Sequence, residues 1–160
     1  MKYLRDDFLE EIDFSLDSQK KELWLEGFIK YRRYFISLKN HFPEDFYKLY
    51  LSTEMHDFVL EGFQFFRNKE FSVVMNFKRD DQRYILTFCG VRDFVTDLKI
   101  QTNYPLEHVL GEFTKISPNL LKYEFVLNNM GNNHRIIVVF QKLRYSTEDG
   151  SGDKGTQGDG

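Results

Sequence analysis

The apolar residues follow a helical spacing in the first third of the chain and an alternating spacing afterwards. In the first third they recur every three or four residues, which places them on one stripe of a helix. This stripe consists of Trp24, Phe28, Tyr31, Phe35 and Leu38. Asp17 or Ser18 suits the N-cap of that helix. Two more helices are predicted, one over residues 3–12 and one beginning at Pro43, since proline is favoured in the first turn.

From Phe58 the apolar residues alternate with a period of two, which is typical of strands. Gly62 interrupts the first strand and is a candidate bulge. Polar runs at 78–82 and 128–133 suit the loops of hairpins. The run "IIVVF" is apolar on both faces, so its strand is predicted to be central and covered on both sides. The predicted strands cover residues 58–66, 70–77, 83–91, 94–100, 109–116, 120–127 and 134–146.

These patterns predict an α+β fold, in which N-terminal helices pack on an antiparallel β-sheet of five to seven strands. A chain of 160 residues suggests a single domain, which we place at residues 1–145. Residues 146–160 hold half of the ten glycines and no apolar residue. Such a composition cannot bury enough apolar surface to become ordered, so we predict a disordered tail rich in glycine and acids.

The charged residues are unevenly distributed along the chain, and this distribution bears on the class of partner. The net charge of −3 resides in residues 146–160, which carry four acids and one base, so the rest of the chain is neutral. A neutral body lacks the electrostatic footprint of a nucleic-acid-binding protein. The segment "KYRRY" at 30–34 interleaves bases and aromatic rings, but on a helix it suits a solvated edge. No nucleic-acid partner is therefore expected.

The single cysteine, Cys89, excludes a disulfide within the chain and a zinc site built from several cysteines. A chain with a single cysteine fits a reducing compartment. The acidic, amphipathic start lacks the apolar core of a signal peptide, and no apolar stretch reaches the length of a membrane span. A cytoplasmic location without a membrane partner is the expectation.

His56 and Asp57 are the first candidates for chemistry, as a general base and the acid that orients it. Adjacent residues in a strand point to opposite faces, which works against their convergence on a substrate. The alternative is that Asp57 bonds local backbone at the change from helix to strand and that His56 packs at the edge. We favour this alternative and predict no catalytic residue.

Other sites are not indicated. The histidines at 41, 56, 108 and 134 lack the short spacing of a recognisable zinc motif. Cys89 lies in an apolar strand, where cysteine usually behaves as a small buried hydrophobe. The segments "GVRDF" and "GNNHR" match neither a Walker loop nor a dinucleotide fingerprint. We therefore predict no metal site and no cofactor.

Aromatic residues are abundant, with 17 Phe and 9 Tyr. Rings in such number can fill a core, and aromatic side chains are also enriched at protein–protein interfaces. Both uses can occur in one molecule. In the absence of a catalytic set, protein binding is the functional class that the composition favours.

Four segments, in order, carry a resemblance: "FPEDFYKLYL", "MHDFVLEGFQF", "YILTFCGVRDF" and the pair "YEFVLNN" and "RIIVVFQKLRY". Together they resemble a broad group of small bacterial α+β proteins. In that group a Leu/Phe-His-Asp start opens the sheet, and a strand ending Phe-x-Gly-Val follows about thirty residues later. Met55 stands here where Leu or Phe is usual, and Cys89 fills the variable position. The resemblance covers most of residues 40–145.

Several members of this group are similar to immunity proteins of polymorphic toxin systems. The resemblance therefore implies an antiparallel α+β sheet and the binding and inhibition of a cognate protein toxin; it assigns no catalytic residue. Loop acids are the expected partner-binding residues, because many toxin targets are nucleases with basic clefts. They are Asp80, Asp81, Asp93 and Asp97. The alternatives are a scaffold or regulatory protein-binding module and a small hydrolase that uses His56 and Asp57.

Overall fold

The structure, a computed structural model, describes residues 1–4, 18–99 and 105–149. Two helices precede the sheet, α1 (Ser18–Ser37) and α2 (Glu44–Thr53), with a 3₁₀ turn at Lys39–His41 between them. Pro43 is the N-cap of α2. The helix predicted over 3–12 falls largely outside the described residues. The strands are β1 (Val59–Arg67), β2 (Phe71–Arg79), β3 (Gln82–Cys89), β4 (Asp93–Thr96), β5 (Leu106–Ser117), β6 (Leu120–Asn129), β7 (Asn132–Phe140) and β8 (Lys142–Asp149).

The α+β class and the antiparallel sheet are confirmed, but the predicted count of five to seven strands is wrong. All eight strands belong to one sheet in the order β4-β7-β6-β5-β1-β2-β3-β8. The extra strand arises because the last predicted strand is divided at Gln141. Before this residue Phe140 pairs with Leu121 of β6, and after it Lys142 pairs with Cys89 of β3. The predicted last strand therefore forms two strands, β7 and β8, which pair with two different neighbours.

The sheet folds back on itself, so that its two halves face each other. β4 follows β3 after only a few residues, and β8 follows β7 in the same way. The segment made of β3 and β4 therefore pairs along its length with the segment made of β7 and β8, through β3–β8 and β4–β7. Gly90 makes the bend possible, because its φ of +63° suits glycine and a Cβ there would collide with the side chain of Gln141. Opposite this bend, β1 and β5 pair only through Val59–Glu107 and Leu60–Leu106.

The core lies between the two halves of the folded sheet. Phe88 of β3 contacts Tyr123 of β6, with ring centroids 6.2 Å apart, and Phe140 of β7, at 4.9 Å. Phe77 of β2 approaches Phe125 of β6 at 6.2 Å. All of these side chains are fully buried. Alternation along the strands is thus sufficient to place the inward rings, as the sequence predicts.

Among the residues that the structure describes, two corners of the folded sheet lack strand pairing, and the helices fill one of them. The Phe46 ring of α2 lies 5.7 Å from the rings of both Phe113 in β5 and Tyr145 in β8, so α2 bridges the two halves. Phe35 of α1 contacts Phe113 at 6.0 Å. We call this place, defined by Phe35, Phe46, Phe113 and Tyr145, the helix corner. The burial of its phenylalanine rings is nearly complete.

Tyrosine hydroxyl groups complete the hydrogen bonding of the β5 edge at the helix corner. The Tyr50 hydroxyl donates to the Gly111 carbonyl at 2.7 Å, and the Phe113 N–H donates to the Tyr31 hydroxyl at 2.7 Å. The Lys115 N–H donates to the Tyr34 hydroxyl at 2.8 Å. Side chains from two helices thus take the place that a neighbouring strand would occupy. This edge is not available for further pairing while the helices are docked.

The first residues of the chain are held against the outer side of β5. The carboxylate of Glu112, which is buried, accepts hydrogen bonds from the backbone N–H groups of Lys2, Tyr3 and Leu4 at 2.7, 2.9 and 3.0 Å. Gly27 of α1 allows the close approach, because a Cβ there would lie 2.5 Å from the Tyr3 carbonyl oxygen. This contact is a physical reason for a glycine inside a helix.

β8 continues to Asp149, four residues beyond the domain boundary at 145 that the sequence suggests. Gln82 of β3 pairs with Asp149, so the sheet includes the beginning of the polar tail. Residues 150–160 lie outside the described residues. Within the described part, no helix is both long enough and apolar enough to cross a membrane.

Candidate functional site

The second unpaired corner of the sheet lies between β1 and β4 and is filled by aromatic rings. Phe63 and Phe65 of β1 contact Phe94 of β4, with ring centroids 5.6 and 5.0 Å apart. Phe65 also stacks on Phe71 of β2 at 5.8 Å. Rings from three strands therefore meet where no helix of the described chain covers them.

A depression of about 490 Å³ opens among these rings. Its volume falls within the usual range of ligand sites, roughly 300–1,000 Å³. Phe65 is 47% exposed and Phe71 is 38% exposed, which are large fractions for phenylalanine. We call this surface the aromatic corner. It is lined by Phe65, Phe71, Val91, Arg92, Asp93 and Phe94.

The strand register explains why these rings face inward and yet remain exposed. Phe63 pairs with Met75 and Phe65 with Val73, and both partners are fully buried on the inner face. β1, however, runs past the start of β5, because Leu60 pairs with Leu106, the first residue of β5. At the same place its register with β2 shifts, between Leu60 and Gly62. The candidate bulge at Gly62 is thereby confirmed. Beyond Gly62, β1 pairs with β2 on one side, and no strand among the described residues pairs with it on the other side.

Charged side chains accompany the rings of the aromatic corner. Arg92 and Asp93 line the depression, and both are exposed. Neither side chain forms an ion pair or a hydrogen bond with any residue that the structure describes. The Arg92 backbone N–H is used, since it donates to the Val139 carbonyl at 2.8 Å. The surface thus combines an apolar wall with two unpaired charges of opposite sign.

The four acids predicted to bind a partner are all exposed, but they form two separate pairs. Asp80 and Asp81 lie in the turn between β2 and β3, where Asp80 has a φ of 54°. Asp93 is the first residue of β4 and Asp97 follows its last residue, beyond the opposite end of β3. An eight-residue strand spans roughly 25 Å, so a compact partner contact does not need to reach both pairs.

Only Asp93 of these acids lines the aromatic corner. Asp97 is engaged, because its carboxylate accepts a hydrogen bond from the Arg135 N–H at 2.7 Å. Asp80 instead borders a second depression of about 470 Å³, together with Asp57 and Lys78. The partner-binding role of these residues stays a prediction.

His56 and Asp57 differ from the expectation in their geometry. They occupy a turn before β1 and not the strand itself, and three of its residues have positive φ: Glu54 (50°), Met55 (58°) and Asp57 (66°). In this turn the two side chains do converge, with His56 Nδ1 2.8 Å from Asp57 Oδ1. The pair is open to water, at 64% and 69% side-chain exposure, so His56 does not pack at an edge.

A second histidine has the opposite environment. His108 is buried, and its Nε2 lies 2.7 Å from the Tyr123 hydroxyl, while its Nδ1 has no hydrogen-bond partner among the described residues. Burial, and to a lesser degree the charge of His56, lowers the pKa of His108 to about 3. The imidazole is therefore neutral at physiological pH. The sequence alone gave no reason to separate His108 from the other histidines.

The remaining candidates have structural roles. Cys89 is buried at the end of β3, as its apolar strand suggests. Within the described residues, no group of three or more His, Cys, Asp and Glu side chains could hold a metal ion. Arg32 of the basic "KYRRY" segment contacts the Leu51 carbonyl at 3.0 Å and Glu54 at 3.5 Å, while Tyr31 is buried.

No pattern in the sequence indicates that Phe65, Phe71, Arg92 and Phe94 belong to one site. The abundance of phenylalanine raised the possibility of an exposed cluster, but alternation alone places Phe65 and Phe71 in the core. The one local signal is the glycine at position 62, which lies where the register between β1 and β2 shifts. Comparison with protein-family models and with curated proteins found no match.

Proposed function

We propose that this protein binds another protein through the aromatic corner and acts as a bacterial immunity-type inhibitor of a cognate toxin. The observation that carries the proposal is a cluster of three rings, in which Phe65 and Phe71 are exposed and Phe94 is half-buried. Exposed aromatic side chains in contact with one another are the usual anchors of protein interfaces. The resemblance to immunity proteins supplies the class of partner.

The mechanism in this proposal is blockade of the toxin's active site or partner surface. The aromatic corner supplies apolar contact area that water leaves on binding, which favours slow dissociation. Asp93 at its rim adds a negative charge that suits a basic target and speeds association. Asp80 and Asp81 lie too far along β3 to join the same small contact, so in this arrangement they contribute only long-range attraction.

The first experiment is co-expression of the chain with the product of its neighbouring gene. We expect that gene product to be toxic alone, and this chain to rescue growth and to co-elute with it in size-exclusion chromatography. A neighbour that is harmless, or that does not bind, contradicts the immunity assignment. A stable complex with a harmless neighbour supports the alternative of a scaffold or regulatory binding module.

The surface is tested with Phe65→Ala and a matched control, Ile116→Ala. Ile116 is a comparably exposed apolar side chain at the end of β5, away from the aromatic corner. If Phe65 is an interface anchor, its loss weakens the complex by about thirtyfold or more, whereas a neutral position changes the dissociation constant by less than about threefold. Equal effects of the two variants exclude the aromatic corner as the interface.

A second candidate function, hydrolysis by His56 and Asp57, is favoured by one observation, the 2.8 Å contact between their side chains. A base oriented by a carboxylate is a recurring catalytic pair. The exposure of both groups to water favours the binding function over this one. Because both side chains are exposed and asparagine tolerates the positive φ at position 57, His56→Ala and Asp57→Asn should fold normally. Growth rescue that survives both substitutions excludes the hydrolase.

A further inference from the structure

The charges of the aromatic corner specify what kind of segment fits it. We infer that its occupant is a short stretch of the partner protein in which a bulky apolar side chain lies between an acidic and a basic residue. This inference rests on the proposed function and names the chemistry that the partner presents. It derives from the unpaired side chains of Arg92 and Asp93 beside the depression.

The apolar side chain of the occupant follows from the arrangement of the aromatic rings that line the depression. Phe65 and Phe71 are stacked with an angle of 12° between their planes, and Phe94 meets Phe65 edge to face at 86°. The depression therefore offers both ring faces and ring edges, the two arrangements that aromatic pairs prefer. An aromatic or long aliphatic side chain removes these surfaces from water, while a small side chain leaves most of them exposed.

The charged residues of the occupant follow from the desolvation free energy of covering Arg92 and Asp93. A segment that covers the depression takes the guanidinium and the carboxylate partly out of water. If the segment is uncharged, both groups lose hydration and gain no partner. A carboxylate of the segment can pair with Arg92, and an ammonium group can pair with Asp93, so that each charge is compensated. The need for both signs distinguishes this occupant from a generally acidic or basic one.

The inference is tested with three blocked tripeptides and NMR spectra of the ¹⁵N-labelled full chain. The probes are acetylated, amidated Glu-Trp-Lys, its neutral counterpart Gln-Trp-Gln, and Glu-Ala-Lys, which lacks the bulky side chain. We expect Glu-Trp-Lys to shift the amide signals of Val91, Phe94 and Phe65. Gln-Trp-Gln should bind about threefold to tenfold more weakly, the effect of two exposed ion pairs, and Glu-Ala-Lys should give no saturable shift.

The double variant Arg92→Gln with Asp93→Asn supplies the control on the protein side. Both residues are exposed, so the variant should keep the wild-type spectrum elsewhere and bind the charged and neutral peptides equally. Equal binding of the two peptides to the wild-type chain overturns the inference. So does a signal shift at the aromatic corner that depends on protein concentration alone, because the occupant is then a second copy of this chain.

The outcomes also separate this inference from the proposed function. If no peptide binds at the aromatic corner but Phe65→Ala abolishes growth rescue, the partner chemistry is wrong and the binding surface stands. If Phe65→Ala leaves both rescue and complex intact, the proposed surface fails together with the inference. A preference for Glu-Trp-Lys over Gln-Trp-Gln that disappears in the double variant, with rescue sensitive to Phe65→Ala, supports both.

Discussion

The helix corner and the aromatic corner are two solutions to the same problem. In each, two edges of the folded sheet separate and aromatic rings from both halves line the gap. In the helix corner, Phe46 of α2 enters between Phe113 and Tyr145, and the phenylalanine rings become fully buried. In the aromatic corner, no helix of the described residues enters between the rings, and Phe65 stays 47% exposed. The presence of a helix, not the type of side chain, separates core from surface.

This difference shows why aromatic content is ambiguous as evidence of function. A phenylalanine at an inward position of a strand joins the core only if another element covers it. α1 and α2 are adjacent in the chain and both dock at one corner, so among the described residues no helix is left for the other. A molecule can therefore keep an apolar surface with the same strand alternation that builds its core.

The sharpest test of the comparison removes one ring from each corner. Phe113→Ala deletes a fully buried ring that contacts both helices, so the free energy of unfolding should fall by about 3–5 kcal/mol. Phe65→Ala should lower it by less than about 1 kcal/mol, because the ring is already half in water. Urea denaturation of both variants measures the values. Similar losses in the two variants contradict the distinction between the corners.

Protonation provides a second test, through the buried His108. Its pKa is about 3 in the folded protein and near 6.5 when unfolded, so between these values the unfolded state binds more protons. The neutral imidazole therefore makes its full contribution to the free energy of unfolding above pH 6.5. That contribution is lost as the pH falls, and the free energy of unfolding should decrease by about 2–3 kcal/mol between pH 6 and pH 4. Denaturation curves at several pH values should show this loss in wild type and a clearly smaller one in His108→Gln.

The matched control is His56→Gln, which removes an exposed histidine from the turn close to His108. The groups facing His108 are the Tyr123 hydroxyl, the rings of Phe77 and Phe125, and, more distantly, His56. If His56→Gln flattens the pH dependence as much as His108→Gln does, the buried imidazole is not its source.

The tyrosine contacts of the β5 edge give a smaller effect with an internal comparison. Tyr31→Phe leaves the buried Phe113 N–H without its acceptor and should cost about 1–3 kcal/mol. Tyr34→Phe frees the Lys115 N–H in an exposed place, where water can replace the hydroxyl, and should cost less than about 0.5 kcal/mol. Thermal or urea unfolding measures both; a larger effect for Tyr34→Phe contradicts the account of this edge.

Substitution of Phe71 combines a small change in stability with a large change in the binding properties of the surface. Phe71→Ser at the aromatic corner should alter the free energy of unfolding by less than about 1 kcal/mol, because the ring is exposed. The same substitution should strongly reduce binding of an apolar fluorescent dye to the folded chain, since it removes one wall of the depression. Undiminished dye fluorescence indicates that the dye binds elsewhere.

Local patterns in the sequence predicted much of the fold. Alternation located β2, β3 and β6, and the Trp24-to-Leu38 stripe located α1. The division of the last strand at Gln141 was not predictable, because a continuous run of strand-forming residues does not reveal a change of partner. The segment "IIVVF" illustrates the same limit: Ile136, Val138 and Phe140 are buried as expected, but Ile137 and Val139 are only half-buried near the end of the sheet.

The candidate site was less predictable than the fold. The contact between His56 and Asp57 depends on a turn with three positive φ values. Aspartate often adopts a positive φ, but Glu54 and Met55 are not residue types that signal such a turn. The aromatic corner depends on where β1 parts from β5 and on which corner the helices occupy. Both are properties of long-range packing that no local window of sequence contains.

The tyrosine hydroxyl groups along β5 have a consequence for how the chain must assemble. A sheet edge with unsatisfied backbone groups is a template for another chain. Until α1 and α2 dock, the edge at Gly111, Phe113 and Lys115 is such a template, and the apolar strands beside it are ready to aggregate. A chain whose helices dock late therefore risks intermolecular pairing, and the helices protect the sheet during folding as well as stabilising it afterwards.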